Sequence, residues 1–216
     1  MAGLAPAVDG ARLDAARSRF GLSNDVPALP LAGDGGQRRY FRASSRGGAS
    51  VVLVLYPEPG TKAQDRWREI GASLSAAGLR VPELLDDDPL SGAALIEDLG
   101  DRDLAAEIRE AGDAERERLL DEAEELLLPL RGMARPAARL NAPFDAPFFA
   151  NELAHTRRWA LERDGASPLP AEQAALWEEL AARMAREATD PARTGDPVPT
   201  HRDFHANNLM RAPGGA

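Results

Sequence analysis

The chain has 216 residues, of which 44% are hydrophobic, enough to bury one core or two small lobes. Its formal charge of −9 argues against nucleic-acid or anionic-membrane partners, because phosphate-rich surfaces select for basic proteins. Cysteine is absent, which excludes disulfides, thiolate metal sites and a cysteine nucleophile. No signal peptide or membrane-spanning apolar run is recognisable, so we expect a soluble cytoplasmic protein.

The first half of the sequence alternates extended segments with helices. Residues 11–20 predict a short amphipathic helix within an N-terminal region of residues 1–24. The β-branched run 49–56 predicts a buried strand, and 62–77 predict a helix. Strands are also expected at 81–85 and 93–97, with the acidic run 86–92 as a turn between them. Residues 25–98 therefore indicate a strand-rich domain with one helix inserted.

The second half is predicted to be helical, over residues 113–131, 148–163 and 170–188. One helix face collects apolar side chains, namely Leu119, Leu120, Ala123, Leu126, Leu127 and Leu130. Trp159 and Trp177 are expected to anchor the core of the later helices. Residues 99–216 thus form a helical domain, and the order of elements predicts an α+β protein with two lobes and a ligand cleft between them.

The most informative motif is HRDFHANN at residues 201–208, on a loop that precedes an expected strand at Leu209 and Met210. Asp203 can accept or orient a hydroxyl proton, and the amide oxygen of Asn208, five residues on, can reach a Mg²⁺ ion. This is the spacing of the kinase catalytic loop, in which the aspartate positions the nucleophile and the asparagine holds metal. A polar loop whose side chains only satisfy turns is the alternative.

Two further stretches are compatible with nucleotide binding. Gly33, Asp34, Gly35 and Gly36 form a glycine-rich turn that can lie close over phosphates, although a plain turn has the same composition. Arg38, Arg39 and Arg42 follow it and can line a cleft or a solvated face. Residues 94–100 run from an apolar strand into acidic residues and can offer backbone donors and acceptors to an adenine.

The motifs occur in the order of a protein-kinase-like fold, and four of them resemble one family. The segments GDGGQRRYFR, LSAAGLRVPELL, LIEDLGDR and HRDFHANNLM are similar to those of aminoglycoside-phosphotransferase-like proteins over about residues 25–211. The branch they resemble contains bacterial sugar kinases that phosphorylate N-acetylmuramate or N-acetylglucosamine at the anomeric hydroxyl, for cell-wall recycling.

This resemblance implies a two-lobed kinase-like fold, ATP with Mg²⁺, and a small hydroxylated substrate. It implies that Asp203 is the catalytic aspartate and Asn208 a metal ligand. The backbone of Glu97, Asp98 and Leu99 would meet the adenine, and residues 33–36 would cover the phosphates. The sequence carries no signal for the oligomeric state.

The sequence departs from the family pattern in two places. The strand lysine that contacts phosphates in kinases is missing, since the single lysine, Lys62, lies beyond Pro57 and Pro59. We expect Arg39 or Arg42 to supply this charge, because arginine offers a fixed fork of donors. The second metal-binding aspartate, expected after the catalytic loop, is also missing, because the eight residues after Asn208 include no acid. We therefore expect a truncated, weakly active or inactive chain.

Two other functions stay open at this point. A nucleotide-binding module without turnover would also lack the second metal ligand. A metal-dependent hydrolase could use His201, Asp203 and His205 as three ligands, because a His-x-Asp-x-His run suits Zn²⁺ or Mn²⁺.

Overall fold

The computed structural model describes residues 10–31, 38–59, 62–133, 143–162 and 168–211. Among these residues, one compact unit contains the N-terminal sheet, five helices and the loop at 200–211. A second compact unit contains the later helices, up to residue 199. No helix in these ranges has the length and apolarity needed to cross a membrane.

The first unit is built on an antiparallel sheet with the strand order β1-β2-β3-β5-β4. The strands are β1 (Leu29–Pro30), β2 (Arg39–Ser44), β3 (Ser50–Leu55), β4 (Leu84–Asp88) and β5 (Ala93–Glu97). The β-branched sequence of β3 places it in the centre, where both of its faces are buried.

Each face of the sheet packs against one helix. On the face that we call the α1 face, Phe41, Leu53 and Leu55 form a buried cluster with Ala16 of α1 (Gly10–Arg19). On the opposite face, the α2 face, Val52, Val54, Tyr56 and Ile96 are buried, and Tyr40 and Trp67 pack against them. Trp67 belongs to α2 (Lys62–Ala76), so the predicted helix is present and this residue packs it against the sheet.

Helices make up the rest of the described chain. In the first unit these are α3 (Leu104–Glu110), α4 (Asp113–Glu125) and α5 (Leu127–Gly132). The second unit contains α6 (Ala146–Thr156), a π-helical continuation (Arg157–Leu161), α7 (Ala171–Ala188) and α8 (Pro191–Thr194). The α+β class expected from the sequence is confirmed.

Three local expectations were wrong. Residues Asp86–Asp88 belong to β4 rather than to a turn, because Arg19 pairs with Asp86 and Asp88 and Arg68 pairs with Asp87. The helix expected over 113–131 is interrupted at Leu126, so that Leu119, Ala123 and Leu130 are buried whereas Leu120, Leu126 and Leu127 are exposed. Trp159 is 58% exposed and lies under the Arg158 guanidinium instead of in a core.

The sheet core gives a direct stability prediction. Leu53 is fully buried, so Leu53→Ala should lower the free energy of unfolding by about 3 kcal/mol through lost burial and a residual cavity. Leu90 is 90% exposed, and Leu90→Ala should change stability by less than about 0.5 kcal/mol. Urea unfolding of both variants checks this prediction, and equal losses would contradict the described core.

Candidate active site

The loop at residues 201–208 brings the predicted catalytic side chains together. The Asn208 amide nitrogen donates to Asp203 Oδ2 at 2.7 Å and to the Asp203 carbonyl oxygen at 3.0 Å. His205 Nε2 lies 3.3 Å from Asp203 Oδ1 and 3.0 Å from the same Asn208 nitrogen. These contacts use the nitrogen of Asn208, which leaves its amide oxygen as the atom that suits a hard cation.

The start of this loop has an unusual backbone. Arg202 has a φ of 71°, the single positive value among non-glycine residues in the described ranges. Residues with side chains seldom adopt this left-handed conformation, and such strain persists where the surroundings enforce it. The conformation immediately precedes Asp203, whose side chain is 66% exposed and so is accessible to a ligand.

A second anchor holds the loop at the start of α3. Asp103 caps this helix, since its Oδ1 accepts the Ala106 N–H at 2.7 Å, and its Oδ2 accepts a hydrogen bond from Asn207 at 3.0 Å. These hydrogen bonds, led by the one from Ala106, lower the pKa of Asp103. The next residue, Leu104, donates its N–H to the Leu209 carbonyl at 2.8 Å.

Apolar and ionic contacts continue the attachment beyond the loop. Ala206 and Leu209 pack against the buried cluster of Leu104, Leu119 and Ala123. Arg211 then pairs with Glu107 at 3.3 Å and with Glu122 at 2.9 Å. The loop at residues 201–208 is therefore attached to α3 and α4 on both sides of Asn208. The strand expected at Leu209 and Met210 is limited to a single bridge between Met210 and Asp103.

The segment that leads from the sheet to α3 is held by an arginine of β2. Arg42 binds Asp98 through two nitrogens, at 2.7 and 2.9 Å, and also donates to the Gly100 carbonyl at 2.9 Å and to Asp101. Asp98 accepts further hydrogen bonds from Ser50 and from the Gly100 N–H. Because its side chain is only 6% exposed, Asp98 depends on these partners to stay ionised.

Arg42 and Asp98 each shift the pKa of the other. The hydrogen bonds from Arg42 lower the pKa of Asp98 to about 2, against the opposing effect of burial. Correspondingly, the two carboxylates raise the pKa of Arg42 above its usual range, with Asp98 contributing most.

The structure describes some of the other residues that were predicted to contact the nucleotide, but not all of them. The Glu97 N–H donates a hydrogen bond to the Glu83 carbonyl at 2.9 Å, and the Glu97 side chain forms an ion pair with Arg80. Asp98 and Leu99 follow the last paired residue of β5. Arg39 lies on β2, whereas Gly33, Asp34, Gly35 and Gly36 lie outside the described residues. Their contacts with a nucleotide stay predictions.

The sequence did not indicate Asp103, Asn207 or Ser50 as parts of the site. An aspartate directly before the apolar run at Leu104 is a recognisable helix N-cap signal, but its second contact lies about a hundred residues away in the chain. The three-ligand metal site is not supported. In the ranges that the structure covers, no three His, Asp or Glu side chains are grouped to hold an ion, and the His201 ring lies against Phe204.

The antiparallel sheet with one helix on each face, followed by helices and a loop that pairs an aspartate with an asparagine, has the order of elements of a kinase-like fold. The sequence matches the phosphotransferase enzyme family over residues 28–216, and the chain belongs to that family. The predicted family and the kinase-like fold are thereby confirmed.

Curated relatives with assigned names are sugar kinases. The chain is 28% identical over 182 residues to an N-acetylmuramate/N-acetylglucosamine kinase of Pseudomonas aeruginosa, covering 84% of this chain and 51% of that protein. A protein of the same name from Caulobacter vibrioides is 34% identical, and the match covers 93% of this chain and 63% of that protein. The chain thus spans about half to two thirds of the length of these relatives.

Solved structures support the fold. The ADP-bound aminoglycoside phosphotransferase APH(2'')-Ib superposes with a TM-score of 0.65 at 16% identity, covering 95% of this chain and 67% of that one.

The Arg42–Asp98 pair predicts a pH effect on stability. Because folding lowers the pKa of Asp98 from 3.8 to about 2, its contribution is complete above pH 4 and is lost as the pH falls towards 2. Asp98→Asn should therefore cost about 2 kcal/mol of unfolding free energy at neutral pH, and the difference should shrink over this acidic window. Urea unfolding at several pH values measures it. Asp121→Asn, at an exposed site on α4, is the control, and a pH-independent Asp98→Asn difference would contradict the assignment.

The Asp103–Asn207 contact predicts how firmly the loop is held. Asn207→Ala leaves the α3 cap intact but removes one hydrogen bond, so exchange of the Leu104 amide hydrogen should accelerate about fivefold. Amide hydrogen exchange followed by NMR measures this rate. Asn151→Ala, on the exposed surface of α6, should leave it unchanged, and equal rates in both variants would show that the contact does not hold the loop.

Proposed function

We propose that the protein is an ATP-dependent phosphotransferase that transfers the γ-phosphate to a hydroxyl of a small molecule. The observation that carries this proposal is the 2.7 Å contact between Asp203 and Asn208, on an anchored loop, in a chain of the phosphotransferase enzyme family. The acceptor that we favour is an amino sugar such as N-acetylmuramate or N-acetylglucosamine, as in the names of the relatives from Pseudomonas and Caulobacter.

Asp203 is the residue that acts on the acceptor in this proposal. Its exposed carboxylate accepts a hydrogen bond from the acceptor hydroxyl and orients the oxygen towards the γ-phosphorus. The hydroxyl oxygen forms the new bond to phosphorus, the bond from phosphorus to the β–γ bridging oxygen breaks, and ADP leaves with that electron pair. The hydroxyl proton passes to Asp203.

Asn208 would hold the metal that accompanies ATP. An amide oxygen beside a carboxylate is a donor set of hard oxygens, which fits Mg²⁺. The contact between its nitrogen and Asp203 fixes which atom of the amide is available to the ion. When bound, Mg²⁺ supplies neutralisation of the charge on the transferring phosphoryl group.

A nucleotide-binding module without turnover is the second function that we consider for this polypeptide.

The proposal is tested by comparing Asp203→Asn with Asp196→Asn, a change at an exposed site outside the loop motif. ATP with Mg²⁺ should raise the melting temperature of the unmodified chain and of both variants, because Asp203 acts on the acceptor. Phosphate transfer from ATP to N-acetylmuramate should fall by about 100-fold or more in Asp203→Asn, the range for loss of a general base, and should be unchanged in Asp196→Asn.

Two results would contradict the proposal. The absence of a melting shift with ATP would exclude both the phosphotransferase and the binding module. Transfer that Asp203→Asn leaves intact would exclude Asp203 as the base, whereas a melting shift without any transfer would favour the binding module for this polypeptide.

A further inference from the structure

The register between β2 and β3 separates the arginines of β2 onto opposite faces of the sheet. Arg39 is paired with Leu55, which is buried on the α1 face, whereas Tyr40 is paired with Val54, which is buried on the α2 face. Residues directly opposite each other in an antiparallel pair share a face, and neighbours along a strand alternate. Arg39 therefore lies on the α1 face, and Arg42 lies on the α2 face with Tyr40.

Arg38, the residue directly before β2, lies on the α2 face as well. Its guanidinium carbon is 5.8 Å from the centre of the Tyr40 ring, a cation–π distance that places it beside a residue two positions along the strand. Arg38 is also near the phenol of Tyr56, which is 1% exposed, and its positive charge acts to lower the pKa of that phenol. Burial raises the pKa of Tyr56 to about 12, so the phenol stays neutral at physiological pH. The Arg38 guanidinium is thus placed beside two aromatic side chains.

The α2 face is also the side from which the chain leaves the sheet towards the catalytic loop. Arg42, on this face, reaches the Gly100 carbonyl and Asp101, which lie between β5 and the helix that anchors the loop. A nucleotide that extends from the sheet towards Asp203 would therefore pass along the α2 face rather than along the α1 face.

The positive charge of Arg42 is already neutralised by neighbouring carboxylates. Its guanidinium binds both Asp98 and Asp101, so an anion would have to compete with two carboxylates for the same donors. A phosphate contact by Arg42 would also break the attachment between the sheet and the segment before α3.

We propose that Arg38 is the residue that contacts the phosphate groups of the nucleotide, in the role of the missing strand lysine. The proposal rests on the phosphotransferase function proposed above. Arg38 comes two residues after Gly36 in the sequence, lies on the α2 face and is placed beside Tyr40 and Tyr56. Its planar fork of donors suits two phosphate oxygens at once. It takes the place that sequence reasoning gave to Arg39 or Arg42.

The adjacent arginines provide a matched pair of variants. Arg38→Ala and Arg39→Ala remove the same side chain from neighbouring positions on opposite faces. Isothermal titration with a non-hydrolysable ATP analogue and Mg²⁺, and separately with adenosine, distinguishes a phosphate contact from a contact with the base. Arg38→Ala should weaken the analogue by about tenfold, the effect of one charged hydrogen-bonding group, and should leave adenosine unchanged. Arg39→Ala should stay within about twofold of the unmodified chain for both ligands.

Each other outcome of this experiment overturns the proposal. If the unmodified chain binds the analogue and Arg38→Ala binds it equally well, Arg38 makes no phosphate contact although the proposed function survives. An equal loss in Arg39→Ala would show that the arginines act through general charge and not through their face. If the unmodified chain binds neither ligand, the proposed function fails together with the inference. Urea unfolding of both variants identifies any loss of affinity that is caused by misfolding.

Discussion

The ion pair between Arg42 and Asp98 is the contact on which the geometry of the first unit depends. It joins an arginine of β2 to the residue that follows β5, and Ser50 at the start of β3 adds a hydrogen bond to the same carboxylate. A carboxylate with 6% exposure that is bound by several donors has few alternative positions. The direction in which the chain leaves the sheet is therefore set by side-chain chemistry rather than by the backbone ladder.

The N-terminus of α3 connects this ion pair to the loop at residues 201–208. Only four residues separate Asp98 from Asp103, which binds both its own helix and Asn207. Arg211 then ties the far side of the loop to Glu107 of the same helix. The sheet and the residues proposed to act on the acceptor hydroxyl are thus connected by short, polar and mostly side-chain contacts, next to a small apolar cluster around Leu104.

Local signals in the sequence predicted β3, β5 and α2, because their apolar periodicity coincides with their burial. They also placed Asp203 and Asn208 on one short loop, where the two side chains are in contact. They failed where partners are remote. The acidic residues of β4 resemble a turn until Arg19 and Arg68 neutralise them. Asp103 likewise has no local signal for its contact with Asn207. The break of the helix at Leu126, in contrast, has a local cause in the sequence, because Pro129 has no N–H to donate to the Glu125 carbonyl and is accommodated in the first turn of α5.

The alternation of β2 has a consequence for how the protein can vary. Its face assignment is enforced by Phe41 and Ala43, which are buried on the α1 face, and not by the arginines themselves. A shift of β2 by one residue along β3 would bury Arg42 where Phe41 now packs and would turn Arg39 towards the opposite face. Insertions and deletions in the segment before β2 are therefore tolerated only if they leave the pairing register of β2 with β3 unchanged. The buried apolar residues of β2 thus determine on which face of the sheet each neighbouring arginine lies.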